Sequence, residues 1–191
     1  MDVRKPHARN RPTRHSLVRT AAIIAALSCV IPTPRALAQS PRQIAAIRIS
    51  GQIAHPRVFV TGDLAAISHR KLEVRDEKET KRVYEGVAVV ELLRRAGVPL
   101  GMQLRGAKLK LYVLVEAKDG YQVLFALPEF DPGFTNNVIV LADARDGKPL
   151  TDAEGPLRLV VPGDKRHARW VRQVTGITVQ TAPSAGVKGL Q

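Results

Sequence analysis

The chain has 191 residues, with 30 lysines and arginines against 17 aspartates and glutamates and a formal net charge of +13. Its one cysteine, Cys29, lies in the first 38 residues, so the remainder can form no disulfide, iron–sulfur cluster, cysteine-ligated metal site or cysteine nucleophile. The acids are interspersed with the bases and no aromatic-plus-basic stacking pattern is present, which argues against nucleic acid as a partner.

Residues 1–38 read as a signal peptide. Arg4, Lys5, Arg9, Arg11, Arg14 and Arg19 precede the apolar run 20–31, and Ala36-Leu37-Ala38 offers small residues for cleavage before Gln39. The run falls short of the roughly 20 apolar residues a spanning helix needs, so no transmembrane span is expected after cleavage. Thr13-Arg14-His15-Ser16-Leu17-Val18-Arg19 resembles a twin-arginine export motif with histidine in place of the second arginine. The general export route is therefore favoured, and a periplasmic or secreted destination is expected. The leader holds seven of the 30 basic residues and one of the 17 acids, which leaves 23 against 16, a net charge of +7. The remaining stretch, about 150 residues, is the size of one domain with one core.

Within that domain, 39–180, a first strand is expected at 44–49 and a short extended piece at 58–61 after Pro56. A helical turn at 62–67 follows, with Asp63 as its cap. Leu72-Glu73-Val74-Arg75 alternates apolar and charged residues and should pair with 82–87 as a hairpin across a polar turn. The clearest helix is 88–96: Val89, Leu92, Leu93 and Ala96 fall on one face, Gly97 is placed to end it in a left-handed conformation, and Pro99 prevents continuation. Lys108 to Glu116 reads as a strand, and Asp119-Gly120 is a tight hairpin signal that turns 121–127 back on it. Glu129 and Asp131, inside PEFDPG, read as helix-start and turn residues, and 138–142 as another buried strand.

Asp146-Gly147-Lys148-Pro149 is a turn. Gly155 to Val179 then supplies a buried strand, a break at Pro162-Gly163, a cationic loop and a closing strand at 177–179. A flexible tail is expected over 181–191. The fold class is α+β, with mixed, mostly antiparallel sheets and few short helices.

The loop is the candidate site. Lys165, Arg166, His167, Arg169 and Arg172 suit a phosphate, pterin or other anion, arginine being able to bind in two-pronged fashion. The bland alternative is a solvated loop whose charges serve solubility. Arg158 sits on an otherwise apolar strand, so it either pairs with a buried acid or points into a pocket, with pairing the safer reading. Trp170 reads as a core or loop anchor. His55, His69 and His167 stand singly and show no metal-ligand spacing. No P-loop, dinucleotide fingerprint or G-x-S-x-G is present.

Several pieces, in order over about 47–179, resemble the sulfite oxidase-type molybdopterin-binding oxidoreductases. Ile49-Ser50-Gly51-Gln52-Ile53 and Pro56 are similar to the family's opening strand, and Tyr84-Glu85-Gly86-Val87 through Leu92-Leu93 to its W-x-G-V-P-L-x-x-L-L segment. Asp119-Gly120-Tyr121 resembles its D-G-Y hairpin, and Leu141-Ala142 with Asp146-Gly147-Lys148-Pro149-Leu150 its L-A … N/D-G-x-P-L. Gly155-Pro156-Leu157-Arg158-Leu159-Val160-Val161-Pro162 matches G-P-L-R-L-V-V-P residue for residue. The resemblance implies the family's fold and a molybdopterin held by a loop that aligns with Arg166-His167-Ala168-Arg169. With the cationic residues read above, the candidate cofactor contacts are Arg158, Lys165, Arg166, His167 and Arg169.

The family's molybdenum-ligating cysteine precedes the W-x-G-V-P-L segment. Residues 69–83 here contain no cysteine, and His167 stands where the family's loop has glycine. The expectation is an exported family scaffold with no metal and no cofactor, which binds an anionic small molecule or a periplasmic protein partner through its cationic loop. A molybdopterin-dependent oxidoreductase with a cysteine-free metal site is the alternative.

Overall fold

In the computed structural model, which describes residues 45–76 and 79–183, the alternation of apolar and polar side chains resolves into two five-stranded sheets. The expected signal peptide and the tail beyond residue 183 lie outside the described residues. By compactness the chain divides into residues 1–39 and 40–191, and every described element belongs to the second unit.

The first sheet is built from β1 (Ala46–Gly51), β2 (Arg57–Val60), β5 (Leu111–Ala117), β6 (Gln122–Ala126) and β10 (Val174–Thr181), in the order β2-β1-β10-β5-β6. β1 and β10 run parallel, with Ile49 opposite Ile177, and every other pair in this sheet is antiparallel. The second sheet has β3 (His69–Arg75), β4 (Lys81–Ala88), β7 (Val140–Arg145) and β8 (Lys148–Pro149) in that order, with β9 (Arg158–Val160) pairing β7; it is wholly antiparallel. One face of each sheet is buried. β5 alternates buried and half-buried residues along its whole length, as a strand with one covered face must. Ile47, Ile49, Val113, Val115, Ile177 and Val179 from the first sheet share one core cluster with Val87, Val140, Leu141 and Leu159 from the second.

Two short helices complete the fold. α2 (Val89–Arg95) buries Val89, Leu92 and Leu93, and Gly97 beyond it takes φ +73°, the left-handed ending its sequence signals. α1 (Thr61–Ala65) has Val60 at its N-cap, so Asp63 sits in the first turn rather than at the cap. Its carboxylate accepts the Val60 N–H at 3.0 Å, which serves the same end of the helix from inside.

Several expected boundaries move, and the buried strand expected at 138–142 runs instead over Val140–Arg145, with Val138 exposed. Residues 106–110 form a 3-10 helix, not the start of β5: Gly106 has φ +57°, and all five residues are exposed, so no inward-facing row holds them to the sheet. The last strand runs on to Thr181, and Ala182 donates its N–H to the Lys110 carbonyl, so the ordered edge passes beyond 180. Lys148-Pro149 pairs as β8 across the Asp146-Gly147 turn.

The stretch 155–179 does not make a local strand pair. β9 belongs to the second sheet and β10 to the first, so the cationic loop between them spans from one sheet to the other. Its return is tied to β9 by Leu159 N–H to the Val171 carbonyl (2.8 Å) and Val174 N–H to the Leu157 carbonyl (2.9 Å).

Candidate functional site

The cationic loop folds over its own tryptophan. Trp170 is buried, its indole N–H donates to the Val161 carbonyl at 2.9 Å, and His167 stacks on it at 3.8 Å and 21°. Tyr84 of β4 meets the same ring edge-on at 5.9 Å. Trp170 is thus an anchor, as expected of a lone tryptophan in an otherwise polar loop.

Of the six residues singled out in the sequence, His167 stacks on Trp170 and the other five fall into two groups. Arg169 and Arg158 are committed to carboxylates. Arg169 grips Asp164 with Nε (2.9 Å) and Nη2 (2.6 Å) and Glu129 with Nη1 (2.9 Å), and lies 4.5 Å over the Phe125 ring. The bonds to Asp164 and then Glu129 hold its pKa well above the ordinary arginine value against the opposing effect of burial. It staples the loop to the 3-10 helix Leu127–Phe130 and is not free to meet a ligand. Glu129 therefore serves this staple, while Asp131, buried, accepts the Gly133 N–H at 2.8 Å, a turn role.

Lys165, Arg166 and Arg172 are exposed and make no hydrogen bond or ion pair among the described residues. Two open clefts meet at the His167–Trp170 stack. Lys165 and Arg166 line one, of about 740 Å³, opposite Glu73 and Asp76 of β3 and the residue after it. Arg172 lines the other, of about 560 Å³.

The second cleft contains a group that sequence reading did not assemble. Arg158 lines it, its guanidinium 5.6 Å from the Tyr84 ring and 5.7 Å from the Trp170 ring. Glu154 Oε1 accepts from Nη1 of Arg158 and, at 2.7 Å, from Nη1 of Arg145. The three side chains are 12%, 13% and 30% exposed for Arg158, Glu154 and Arg145 respectively. The Tyr84 hydroxyl and then Glu154 raise the Arg145 pKa above its ordinary value. Arg158 Nε is buried with no partner.

Pairing and pocket, the two alternatives open for Arg158, are therefore both realised. Glu154 was findable as the acid four residues before Arg158. Arg145 was not, because only the β7–β9 pairing brings it alongside. Tyr121, whose hydroxyl donates to the Ala168 carbonyl at 2.9 Å, closes the rim through a contact 47 residues apart.

The donor chemistry does not suit a thiolate-bound molybdenum. The described residues contain no cysteine and no cluster of three or more histidine, cysteine, aspartate or glutamate side chains able to hold a metal ion. His69 bonds the Ile67 carbonyl through Nδ1 (3.0 Å) and Asp143 through Nε2 (3.2 Å), and two ion pairs link β3 to β4, Lys71 to Glu85 at 3.7 Å and Lys81 to Glu73 at 2.8 Å. His55 is exposed and its backbone N–H is bonded to the Ala96 carbonyl.

Residues 61–188 match the model of a family described as oxidoreductase molybdopterin binding domain. Among solved structures the chain is similar to the sulfane dehydrogenase SoxCD from Paracoccus pantotrophus, with 19% identity and a TM-score of 0.59 over 80% of this chain and 42% of that one. At that identity the likeness concerns the fold, and the chain spans less than half the length of the matched one. No curated protein matches it.

Proposed function

The chain belongs to the oxidoreductase molybdopterin binding domain family, and from that premise we propose that it is an exported member that binds an anionic ligand or a periplasmic protein partner beside its cationic loop and does not run the family's molybdenum redox chemistry. One observation carries the reading: the described domain offers no thiolate and no multidentate metal site, yet keeps Lys165, Arg166 and Arg172 exposed and unpaired around two clefts. Thiolate is the soft ligand the family's metal site uses, whereas unpaired guanidinium and ammonium groups are ordinary anion receptors. His167 borders both clefts and Arg158 one of them, and they complete the proposed contacts. Arg169, tied up by two carboxylates, positions the loop.

The family match supports a second reading, a molybdopterin enzyme with a cysteine-free site, and one measurement separates the two. The protein is purified from its native compartment, assayed for molybdenum, and examined for pterin fluorescence after oxidation. An empty, well-folded protein is expected. Stoichiometric molybdenum with pterin would sink the proposed reading. N-terminal sequencing of the exported protein is expected to begin at Gln39, and recovery of an intact leader would remove the cleavage step.

A further inference from the structure

The floor of the 560 Å³ cleft carries a charge that the protein itself does not balance. Glu154 supplies one negative charge to two guanidiniums, those of Arg145 and Arg158, so the three side chains sum to +1. Of the other acids on the cleft wall, Asp76 is paired with Arg82 Nε (3.1 Å) and accepts the Thr80 N–H (2.9 Å). Asp119, which accepts the backbone N–H of Tyr121 (3.0 Å), keeps a negative charge at the exposed rim that offsets the positive one on Arg172 and leaves the surplus of the floor unchanged. A surplus charge in a largely buried group is costly unless something pairs with it, and the unpartnered, buried Nε of Arg158 adds to that cost. At the rim, Arg172 is a further cation with no partner among the described residues.

We propose that the Arg145–Glu154–Arg158 group, with Arg172 at its rim, is a receptor for one small carboxylate. This deepens the proposed function and rests on it, moving the binding centre from the loop to the cleft beside it. Glu154 has two effects. It holds the two guanidiniums in place, and it cancels one of their charges, so the floor is matched to a single negative charge rather than to a phosphate or pyrophosphate. The planar, two-oxygen carboxylate fits the remaining in-plane N–H groups of a guanidinium, which is the geometry that distinguishes arginine from lysine sites.

The test titrates the purified protein with sodium acetate and, separately, sodium pyrophosphate at ionic strength held constant with chloride, by calorimetry and by thermal midpoint. Acetate is expected to bind saturably, one per chain, and more tightly than pyrophosphate. Arg145→Gln is expected to weaken acetate about tenfold, the loss of one charge-assisted hydrogen bond. Arg145→Lys, which keeps the charge and is the safer variant for folding, should weaken it less than Arg145→Gln but measurably. Glu154→Gln, if folded by circular dichroism, is expected to reverse the preference towards pyrophosphate. Tighter pyrophosphate binding to the unaltered protein overturns the proposal, as does an absence of saturable acetate binding. Anion binding that survives Arg145→Lys and Arg145→Gln unchanged but disappears in Lys165→Ala/Arg166→Ala overturns it too, while leaving the cationic-loop reading intact. The molybdenum and pterin assay judges that broader reading independently.

Discussion

At the scale of single residues, two positions show how closely the strands constrain their side chains. A Cβ placed on Gly86 of β4 would lie 2.2 Å from the Leu141 carbonyl oxygen and 2.5 Å from the Ala142 Cα. The obstruction is backbone in the partner strand, so no rotamer change relieves it. Asp143 is the extra residue where the β4–β7 register shifts. Gly86→Ala is expected to cost about 1–3 kcal/mol, read as a lowered urea midpoint with an unchanged slope. Asp146, in the left-handed region at φ +52°, accepts the Val83 N–H at 2.9 Å and meets Arg82 at 3.2 Å. The Val83 N–H first, and Arg82 after it, hold its carboxyl below the ordinary value of 3.8. The native state therefore favours the ionised form: its contribution to stability is full above that ordinary value and is lost as pH falls through the lower native pKa. A urea midpoint followed from pH 6 downwards should decline less steeply in Asp146→Asn than in the unaltered protein below about pH 4. Equal declines would show that the turn does not hold the carboxylate.

At the scale of elements, α2 and the cationic loop are stabilised differently. α2 is amphipathic, and its contribution comes from the face it buries. Leu92, fully buried, is expected to cost about 2–5 kcal/mol when cut to alanine. Arg94, whose Nη1 meets Glu91 at 2.6 Å on the exposed side, should change stability by no more than about 0.5 kcal/mol. Comparable losses for the two would mean the helix is held by its polar face. The loop has few apolar contacts besides Trp170 and depends on Arg169, which ties Asp164 to Glu129. Arg169→Ala is expected to leave the sheets intact, by far-ultraviolet dichroism, and to raise proteolytic nicking within 162–168 severalfold, since exposed loop segments released from their tethers are cleaved first.

At the scale of the whole molecule, both sheets contribute to a single hydrophobic cluster, so the described domain has no internal seam. Trp170, the one tryptophan of the chain, lies in the loop that joins the sheets and touches Tyr84 of the second. Its fluorescence should report the same midpoint in urea as far-ultraviolet dichroism, as a two-state domain of this size does. Separate midpoints would mean that the loop and its cleft unfold before the sheets. The cleft itself is a product of this joining. Arg145 arrives on β7, Arg158 on β9, Tyr84 on β4 and Arg172 on the approach to β10.

The sequence by itself determined what depends on near neighbours along the chain. The hairpin at Asp119-Gly120, the helix over Val89 to Arg95 ended by Gly97, the fold class, and the family through Gly155 to Pro162 are all encoded in short-range pattern. The lack of any thiol after Cys29 is equally legible. The tertiary structure alone decided which cations are free. Arg166 and Arg169 look alike in sequence, but Asp164 and Glu129, five and 40 residues from Arg169, capture that arginine alone. It also decided that β1 pairs in parallel with β10, with Ser50 and Thr178 brought together across 128 residues. Parallel pairing needs a long connection and leaves no turn signal between its strands, so no local pattern announces it. Charge has no such periodic signature either: whether a guanidinium is a receptor or a staple depends on which carboxylate the fold sets beside it.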